Sequence, residues 1–590
     1  MRVAALVKQV PQFESMQLGP DGRLRREGLP LEMSAYCRRA VAQGVLLASQ
    51  TGGSCTVITL GPPSAEDVLR EAIAYGADEG ILVSDPAFAG SDTLATARAL
   101  AAALERTGPY DLVLVGRNSV DADTGQVGPQ VAELLDLPFA TGVKRLTLAA
   151  DGRSVDVGLE LDDEWVEATV TLPAVLSAAE RLIDPCKIKD PAVWAGVDPA
   201  RIRRLTARDL GAGPWGQEGS PTRVGETRTV QVERAGIVLE GDPREQVAKL
   251  LAYLRDRGAL EPGTFSAGSG GIVPATGGDG PSVAVLVEPR RARLARELLG
   301  AAARLAAQLA GRVVALGPEP GEPPTLASWG ADEIVTIRGA AAEEDVARAV
   351  GAWASEVGPW AVLSGSTSWG REVASRLAAR LGAGLTGDAV DLAVEEARLV
   401  AWKPAFGGSL VAAITASSSV QMATVRPGVL GLATPRPAGR VRTSTIEVEP
   451  RGRITVRTRR REDDLDALAV AEMVIGVGQG VDPSEYGKLE GLMTLLGAEL
   501  AATRKVTDQG WLPHARQVGI TGHSIAPRLY LALGTSGKYN HTVGVRNAGT
   551  IVAVNPDREA PIFSFADIGL VADWRDVVAE MERQLSAQTR

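Results

Sequence analysis

Short apolar, β-branched runs alternate with longer stretches of helical spacing from the first residues onward. Val3–Val7, Thr56–Leu60, Ile81–Val83 and Leu112–Val115 are short and almost wholly apolar. They read as strands buried on both faces rather than as surface strands. Between them Ala65–Tyr75 and Leu94–Leu104 place apolar residues at helical intervals. Such alternation predicts parallel sheets layered with helices, an α/β protein.

The pattern then repeats. "VAALVKQV" from Val3 is answered by "VAVLVEPR" from Val283, and "CTVITLGPP" from Cys55 by "RVVALGPEP" from Arg312. Gly76-Ala77-Asp78-Glu79 returns as Gly330-Ala331-Asp332-Glu333, and "GPYDLVLVG" from Gly108 as "GPWAVLSG" from Gly358. Four matches in one order predict two related nucleotide-binding-type α/β domains. A third, distinct α/β unit opens with "MVIGVG" from Met473 and has strand-like runs near Leu529–Leu533 and Thr550–Val554. Gly258–Ser282 is rich in Gly, Pro and Ser without periodicity, and reads as a flexible linker. Arg436–Asp463 mixes Pro and Arg with alternating Thr and Val, a composition open to strands. The expected division is a first domain at 1–257, a linker at 258–282, a second domain at 283–446 and a third at 464–590. At roughly 100–200 residues per domain, 590 residues accommodate these units.

Composition narrows the class. A net charge of −10 with no basic stripe argues against nucleic-acid binding. Cys37, Cys55 and Cys186 form no CxxC pair and no ligand spacing, so no metal site is expected. Scattered thiols fit a reducing cytoplasm. Lys8 interrupts the N-terminal apolar run too early for a signal peptide, and no apolar stretch is long enough to span a membrane. The three histidines, His514, His523 and His541, all fall in one C-terminal region. That clustering favours a site over filler, because histidine changes charge near neutral pH.

Gly476, Gly478 and Gly480 follow a strand, but GxGxG is not the dinucleotide fingerprint GxGxxG. Gly537-Lys538 lacks the phosphate-binding GxxxxGK[ST] spacing. The stronger signal lies in an ordered series. It contains Arg504, Asp508-Gln509-Gly510-Trp511, Gln517-Val518-Gly519 with Thr521-Gly522, and Ser536-Gly537 with His541. Asn555 with Asp557, Ala560-Pro561-Ile562-Phe563 and Ala566-Asp567 complete it. This series resembles the FAD-binding domain of the electron transfer flavoprotein alpha subunit. A flavin that passes single electrons needs a fixed cation and a hydrogen-bond donor where negative charge develops, near N1 and the C2 carbonyl. The resemblance implies that Arg504 lies over the ring system, that His541 sits near the C2 carbonyl, and that Thr521 bonds N5. It assigns Gly522, Ser536, Gly537 and Asn540 to the cofactor turns, with Ser536 and the backbone at Gly537 at the pyrophosphate. Asn555 and Asp567 are expected at the adenosine end. Ile520 stands where the family commonly has Gln, and Gln479 where it has Arg, so the family's redox potential does not carry over.

The segments "GREVASRLAARLGAGLTGDAVDL" from Gly370, "KPAFGGSLVAAI" from Lys403 and "QMATVRPG" from Gln421 resemble the alpha subunit's first domain. "LVKQVP" from Leu6, "GPPSAEDVLREAIAYGAD" from Gly61 and "DADTGQVGPQVAELL" from Asp121 resemble the beta subunit. The order is beta then alpha in one chain, which accounts for the repeat. By the same resemblance, Asp121, Asp123, Thr124, Gln126 and Val127 form a second nucleotide site, holding either AMP or a second FAD. A helix cap by the Asp residues is the competing reading. Arg181–Lys189 matches the family's partner-recognition loop, but Cys186 and Lys187 replace its Arg and Tyr, so the usual acyl-CoA dehydrogenase partners are not implied. The expectation is an FAD electron carrier with no substrate chemistry of its own, whose third domain moves by a hinge. It would take electrons from a flavin or other dehydrogenase and pass them to a membrane quinone oxidoreductase or a ferredoxin. Two alternatives stay open: an NADH-oxidising, electron-bifurcating flavoprotein with two FAD, and a non-redox nucleotide-binding regulatory protein.

Overall fold

The structure is a computed structural model. It describes all residues except 13–28, 120–121, 163, 189, 230–233, 262–270, 406–409, 462–466, 469–470, 520–521, 524 and 589–590. Three parallel sheets dominate it, and the first two share one plan. In the first unit the strands run in the order Ile202–Leu205, Glu79–Val83, Ser54–Leu60, Arg2–Val7, Leu112–Gly116, Ala174–Ala178 and Phe139–Leu148, all parallel. The second unit lays down Arg442–Glu447, Glu333–Arg338, Arg312–Gly317, Ser282–Leu286, Ala361–Gly365, Gln421–Val425 and Gly384–Ala389 in the matching order, again all parallel. The four repeated motifs therefore occupy equivalent places in two copies of one topology. Val3, Ala4 and Ala5 in the first unit and Val283, Ala284 and Val285 in the second are fully buried. Helices cover both faces of these strands, which is why their sequences are continuously apolar.

The two units exchange strands. Ser154–Glu160 and Glu164–Thr171 extend the first sheet as antiparallel strands, and Ile454–Arg461, which follows the second unit in the chain, adds beside Glu164–Thr171. Reciprocally, Thr222–Thr229, which follows the first unit, adds to the antiparallel layer Asp391–Glu395, Arg398–Ala405 and Leu410–Ala416 of the second. Arg376, almost wholly buried, crosses the same boundary from Ser368–Leu381 and pairs with Glu133 at 3.1 Å and Glu372 at 3.2 Å.

The third sheet is also parallel, in the order Ile237–Leu239, Ile568–Leu570, Thr550–Val554, Leu529–Leu533, Met473–Val477 and Glu499–Ala502. Its edge strand Ile237–Leu239 comes from before residue 257, and so does the helix Pro243–Asp256. That helix presents Val247, Leu250, Leu251 and Leu254 as one apolar stripe, buried in one core with Met473, Ile475, Trp574 and Val577. Sheet membership thus departs from chain order: Thr222–Thr229 joins the second unit and residues 237–256 the third. An amphipathic stripe states that a helix is buried, not which core receives it. In the stretch read as a flexible linker, the described part is anchored, because Ile272 bridges Thr434 and Val273 is buried in the second core.

Candidate functional site

In an open parallel sheet, crevices form at the carboxyl ends where strand order reverses. In the first sheet this point lies between Arg2–Val7 and Leu112–Gly116, and a cavity of about 550 Å³ opens there. That volume suits a small-molecule or cofactor site. Lys8, Leu60 and Gly116 form its floor at the strand ends. Thr124, Gln126 and Val127 line it from the start of the helix Val127–Leu134. The second unit closes it with Leu385, Thr386, Gly387 and Lys403, and Thr222 contributes from the exchanged strand.

Of the residues expected here, the structure brings Thr124, Gln126 and Val127 together. The Gln126 amide is engaged internally: Thr93 Oγ1 donates to its Oε1 at 2.6 Å, and its Nε2 donates to the Leu385 carbonyl at 3.4 Å. It joins the two units at the wall, a role the motif did not reveal. Asp123 adopts a left-handed backbone (φ 46°) and is absent from the cavity wall; it belongs to a charged cluster with Arg371, Asp388, Lys403 and Arg426. Asp121 lies outside the described residues. Burial pushes the Asp123 carboxyl up, and Arg371 offsets this in part. Burial lowers the Lys403 ammonium against the opposing pull of Asp388 and Asp123. Burial would raise Asp388, but Arg426 and Arg371 outweigh it and keep the carboxyl low; Arg426 Nε donates to both its oxygens, at 3.1 and 3.2 Å. Lys403 Nζ donates to the Gly387 carbonyl at 2.9 Å. Lys403 is the cation the sequence reading did not single out, because its partners come from a distant strand.

The second unit has a matching crevice of about 430 Å³, lined in part by Glu288, Pro318, Ala340 and Ser368. Here the head of the helix Ser368–Leu381 is met by protein. The Ser368 backbone N–H donates to Asp162 of the first unit at 2.7 Å, and Ser368 Oγ to the same carboxylate at 3.2 Å.

In the third sheet the reversal lies between Met473–Val477 and Leu529–Leu533. The loops leaving these strands touch through glycine. A Cβ on Gly480 would stand 2.9 Å from the Gly534 Cα, and one on Gly478 would collide with the Gly534 carbonyl. Gly534 and Gly537 have positive φ of 58° and 75°, and a Cβ at Gly537 would strike the Ile562 backbone. Backbone therefore packs on backbone at this crevice. Ser536 is exposed at its mouth. Thr535 Oγ1 is buried with no hydrogen-bond partner among the described residues, which a polar ligand at the crevice would supply. These features fit a nucleotide cofactor.

Three residues expected at the cofactor also have partners within the protein. His541 is buried, with Nδ1 3.0 Å from the Val518 carbonyl and Nε2 2.8 Å from the Tyr530 hydroxyl. A carbonyl only accepts, so Nδ1 carries the proton and Nε2 accepts from Tyr530. Burial pushes the imidazole down to about 4. His541 is thus a neutral tether between the helix Tyr539–Val545 and the turn at Val518. The Asp567 Oδ2 accepts from Arg234 Nη1 and the Ile551 N–H, both at 2.8 Å, and fastens the approach to the Ile237–Leu239 strand. Asn555 Nδ2 donates to the Thr535 carbonyl at 2.9 Å and its Oδ1 accepts from the Asp557 N–H, so it braces the crevice loop. Gly522 N–H donates to the Gly519 carbonyl at 3.2 Å. Thr521 and Ile520 lie outside the described residues, as does the Asn540 side chain.

Arg504 begins the helix Arg504–Asp508 and reaches toward the first unit. Its guanidinium carbon lies 5.8 Å from the centre of the Tyr36 ring, and Nη2 is 3.9 Å from Glu180 Oε1. Burial would raise the Glu180 carboxyl, yet Arg117, His514 and Arg504 outweigh it and hold it at about 2. Burial, reinforced by Arg117, lowers His514. Tyr36, Arg117 and Glu180 carry no motif signal, because Tyr36 starts the helix Ala35–Thr51 while Arg117 and Glu180 follow two different strands, and they converge only in the fold.

Three parallel sheets, with a cavity at the reversal point of the first and glycine-packed loops at that of the third, fit a nucleotide-cofactor-binding α/β protein. Among the described residues no helix is long and apolar enough to cross a membrane, and no group of metal-ligating side chains gathers. The electron transfer flavoprotein domain matches residues 21–210 and 284–451, and the electron transfer flavoprotein FAD-binding domain matches 467–546. The chain is 39% identical to the electron transfer flavoprotein subunit beta of Thermoanaerobacterium thermosaccharolyticum, over 44% of this chain and 99% of that protein. It is 35% identical to the subunit alpha of the same organism, over 43% of this chain and 80% of the relative. It is 33% identical to the protein FixB of Clostridium saccharobutylicum, over 52% and 96%. The chain belongs to the electron transfer flavoprotein family, as a beta–alpha fusion with an FAD-binding third unit.

Proposed function

We propose that the chain carries electrons on an FAD held at the third-unit crevice and keeps a second nucleotide, AMP or FAD, in the first-unit cavity. The carrier role follows from the family. The glycine-packed loops Gly478–Gly480 and Gly534–Gly537 at a strand-order reversal carry the reading, with the unpartnered Thr535 hydroxyl between them. Bound there, FAD supplies the one-electron chemistry; the chain's residues orient it, cover it and set the charge around it. Arg504 is the cation this reading assigns to the flavin, and Ser536 with the Gly537 backbone are suited to the pyrophosphate. In the first cavity Thr124 and Lys403 offer a hydroxyl and a charge to phosphate.

The donor is a dehydrogenase, and the acceptor a quinone oxidoreductase or a ferredoxin. A relative 32% identical over 99% of its length is an acryloyl-CoA reductase electron transfer subunit gamma of Anaerotignum propionicum, which supports a carrier that serves a partner oxidoreductase. Cys186, in the region matching the recognition loop, is wholly buried and unavailable to a partner.

Denaturing the purified chain and quantifying the FAD and AMP released tests the reading. One FAD with one AMP is the result for a simple carrier. Two FAD without AMP moves the function to NADH-oxidising electron bifurcation. No flavin after reconstitution overturns the third-unit assignment and revives a non-redox regulatory role.

A further inference from the structure

Glu180 is a carboxylate almost wholly withdrawn from water, and its Oε2 has no hydrogen-bond partner among the described residues. An ionised carboxylate in that setting is costly unless cations face it. Two guanidinium groups do, Arg117 from its own unit and Arg504 from the third, with the His514 ring beside them. The next residue, Arg181, holds a left-handed backbone (φ 67°), a strained conformation for a side chain of that size. Its Nη1 lies 3.6 Å from where a Cβ on Gly510 would stand. The loop is therefore bent against the segment 504–514, and Glu180 faces the guanidinium that the FAD reading places beside the flavin. Tyr36, buried below that guanidinium, supplies the ring face that completes the seat.

We propose that Glu180 is a positioning residue for Arg504. It holds the guanidinium across the boundary between the first and third units, so that docking of the FAD-binding unit and the electrostatic environment of its flavin are set by one contact. The proposal rests on the reading of Arg504 as the cation beside the flavin. Its logic is competition. A single guanidinium faces two centres of negative charge: the fixed carboxylate of Glu180, and the charge a flavin gains on reduction. Whatever Arg504 gives to one it withholds from the other, so a reduced flavin weakens the docked contact and docking disfavours reduction. The coupling is reciprocal, as linkage requires. Asp508, the other acid near Arg504, lies four residues away on the same short helix and is more exposed; its contact of 3.3 Å moves with Arg504 and cannot report docking.

The test uses the full-length, flavin-loaded chain as wild type, Glu180→Gln, Glu180→Asp and Asp508→Asn. Two quantities are read: the flavin midpoint potential by spectroelectrochemical titration, and amide hydrogen exchange across residues 504–511. Glu180→Gln should raise the potential and speed exchange of these amides by about fivefold, the loss of an interaction worth about 1 kcal/mol. Glu180→Asp should return both toward wild type, and Asp508→Asn should leave exchange unchanged. A Glu180→Gln potential equal to wild type overturns the proposal, even if exchange speeds up, because Glu180 would then brace the interface without touching flavin electrostatics. Wild-type protein that takes up no flavin overturns the proposal together with the FAD reading, and that failure appears before any substitution is made.

Discussion

The backbone N–H of Ser368 donates to Asp162 across the boundary between the first two units, at 2.7 Å. A carboxylate of one half therefore caps a helix of the other. Asp162→Ala removes the acceptor of two hydrogen bonds and should lower stability by about 1–3 kcal/mol. Asp162→Asn, which still accepts, should lose less. Urea unfolding of the three proteins side by side checks the order.

His541 titrates below its ordinary value because it is buried. A histidine with a depressed folded-state pKa binds protons more readily when unfolded. Its contribution to stability is complete above about 6.5 and is lost as pH falls toward about 4. The chain has three histidines, so their ring protons are resolvable by NMR. The His541 signal should stay neutral to the lowest pH at which the protein remains folded. A midpoint near 6.5 for every histidine would contradict the tether to Val518 and Tyr530.

The third-unit crevice depends on glycine at 480. Gly480→Val forces a branched side chain onto the Gly534 backbone, with an overpacking cost of about 1–3 kcal/mol and loss of FAD from the purified protein. Gly487→Ala is the control, since a Cβ there meets nothing within 4 Å. The FAD-to-protein absorbance ratio distinguishes the two.

Lys403 belongs to the second unit yet lines the first unit's cavity. Lys403→Met should empty that cavity of its nucleotide while FAD stays bound in the third unit. Quantifying each nucleotide per chain after denaturation reads both sites at once; equal loss of both would mean the substitution unfolds the chain.

The duplicated α/β plan was legible because its signal is local. "VAALV" and "VAVLV" announce buried parallel strands, and Gly76-Ala77-Asp78-Glu79 recurs at an equivalent helix-to-strand turn as Gly330-Ala331-Asp332-Glu333. The third unit was legible for another reason, through the ordered series from Arg504 to Asp567 and its resemblance to a known FAD-binding domain. What escaped notice depends on distance. Val247, Leu250, Leu251 and Leu254 declare an apolar face without naming the core that takes it. Thr222–Thr229 is a strand of the structure, yet nothing in its sequence hints that Leu410–Ala416 is its neighbour. Resemblance assigns His541 and Asp567 to a cofactor but gives no hint of Tyr530, Val518 and Arg234, which engage them from elsewhere in the chain. A motif records which residue is present and not which neighbour has already claimed its hydrogen bonds.

The exchanged strands Thr222–Thr229 and Ile454–Arg461 clasp the two related halves from opposite directions. Adhesion between the halves consequently resides in sheet ladders and buried ion pairs such as Arg376–Glu133, not in the peptide that joins them. One continuous polypeptide guarantees equal numbers of each half and spares them the search for one another in dilute solution. It adds little to how tightly they grip. A chain severed in the region of the join should remain a single particle, and two separately synthesised halves should find the arrangement that the unbroken one reaches.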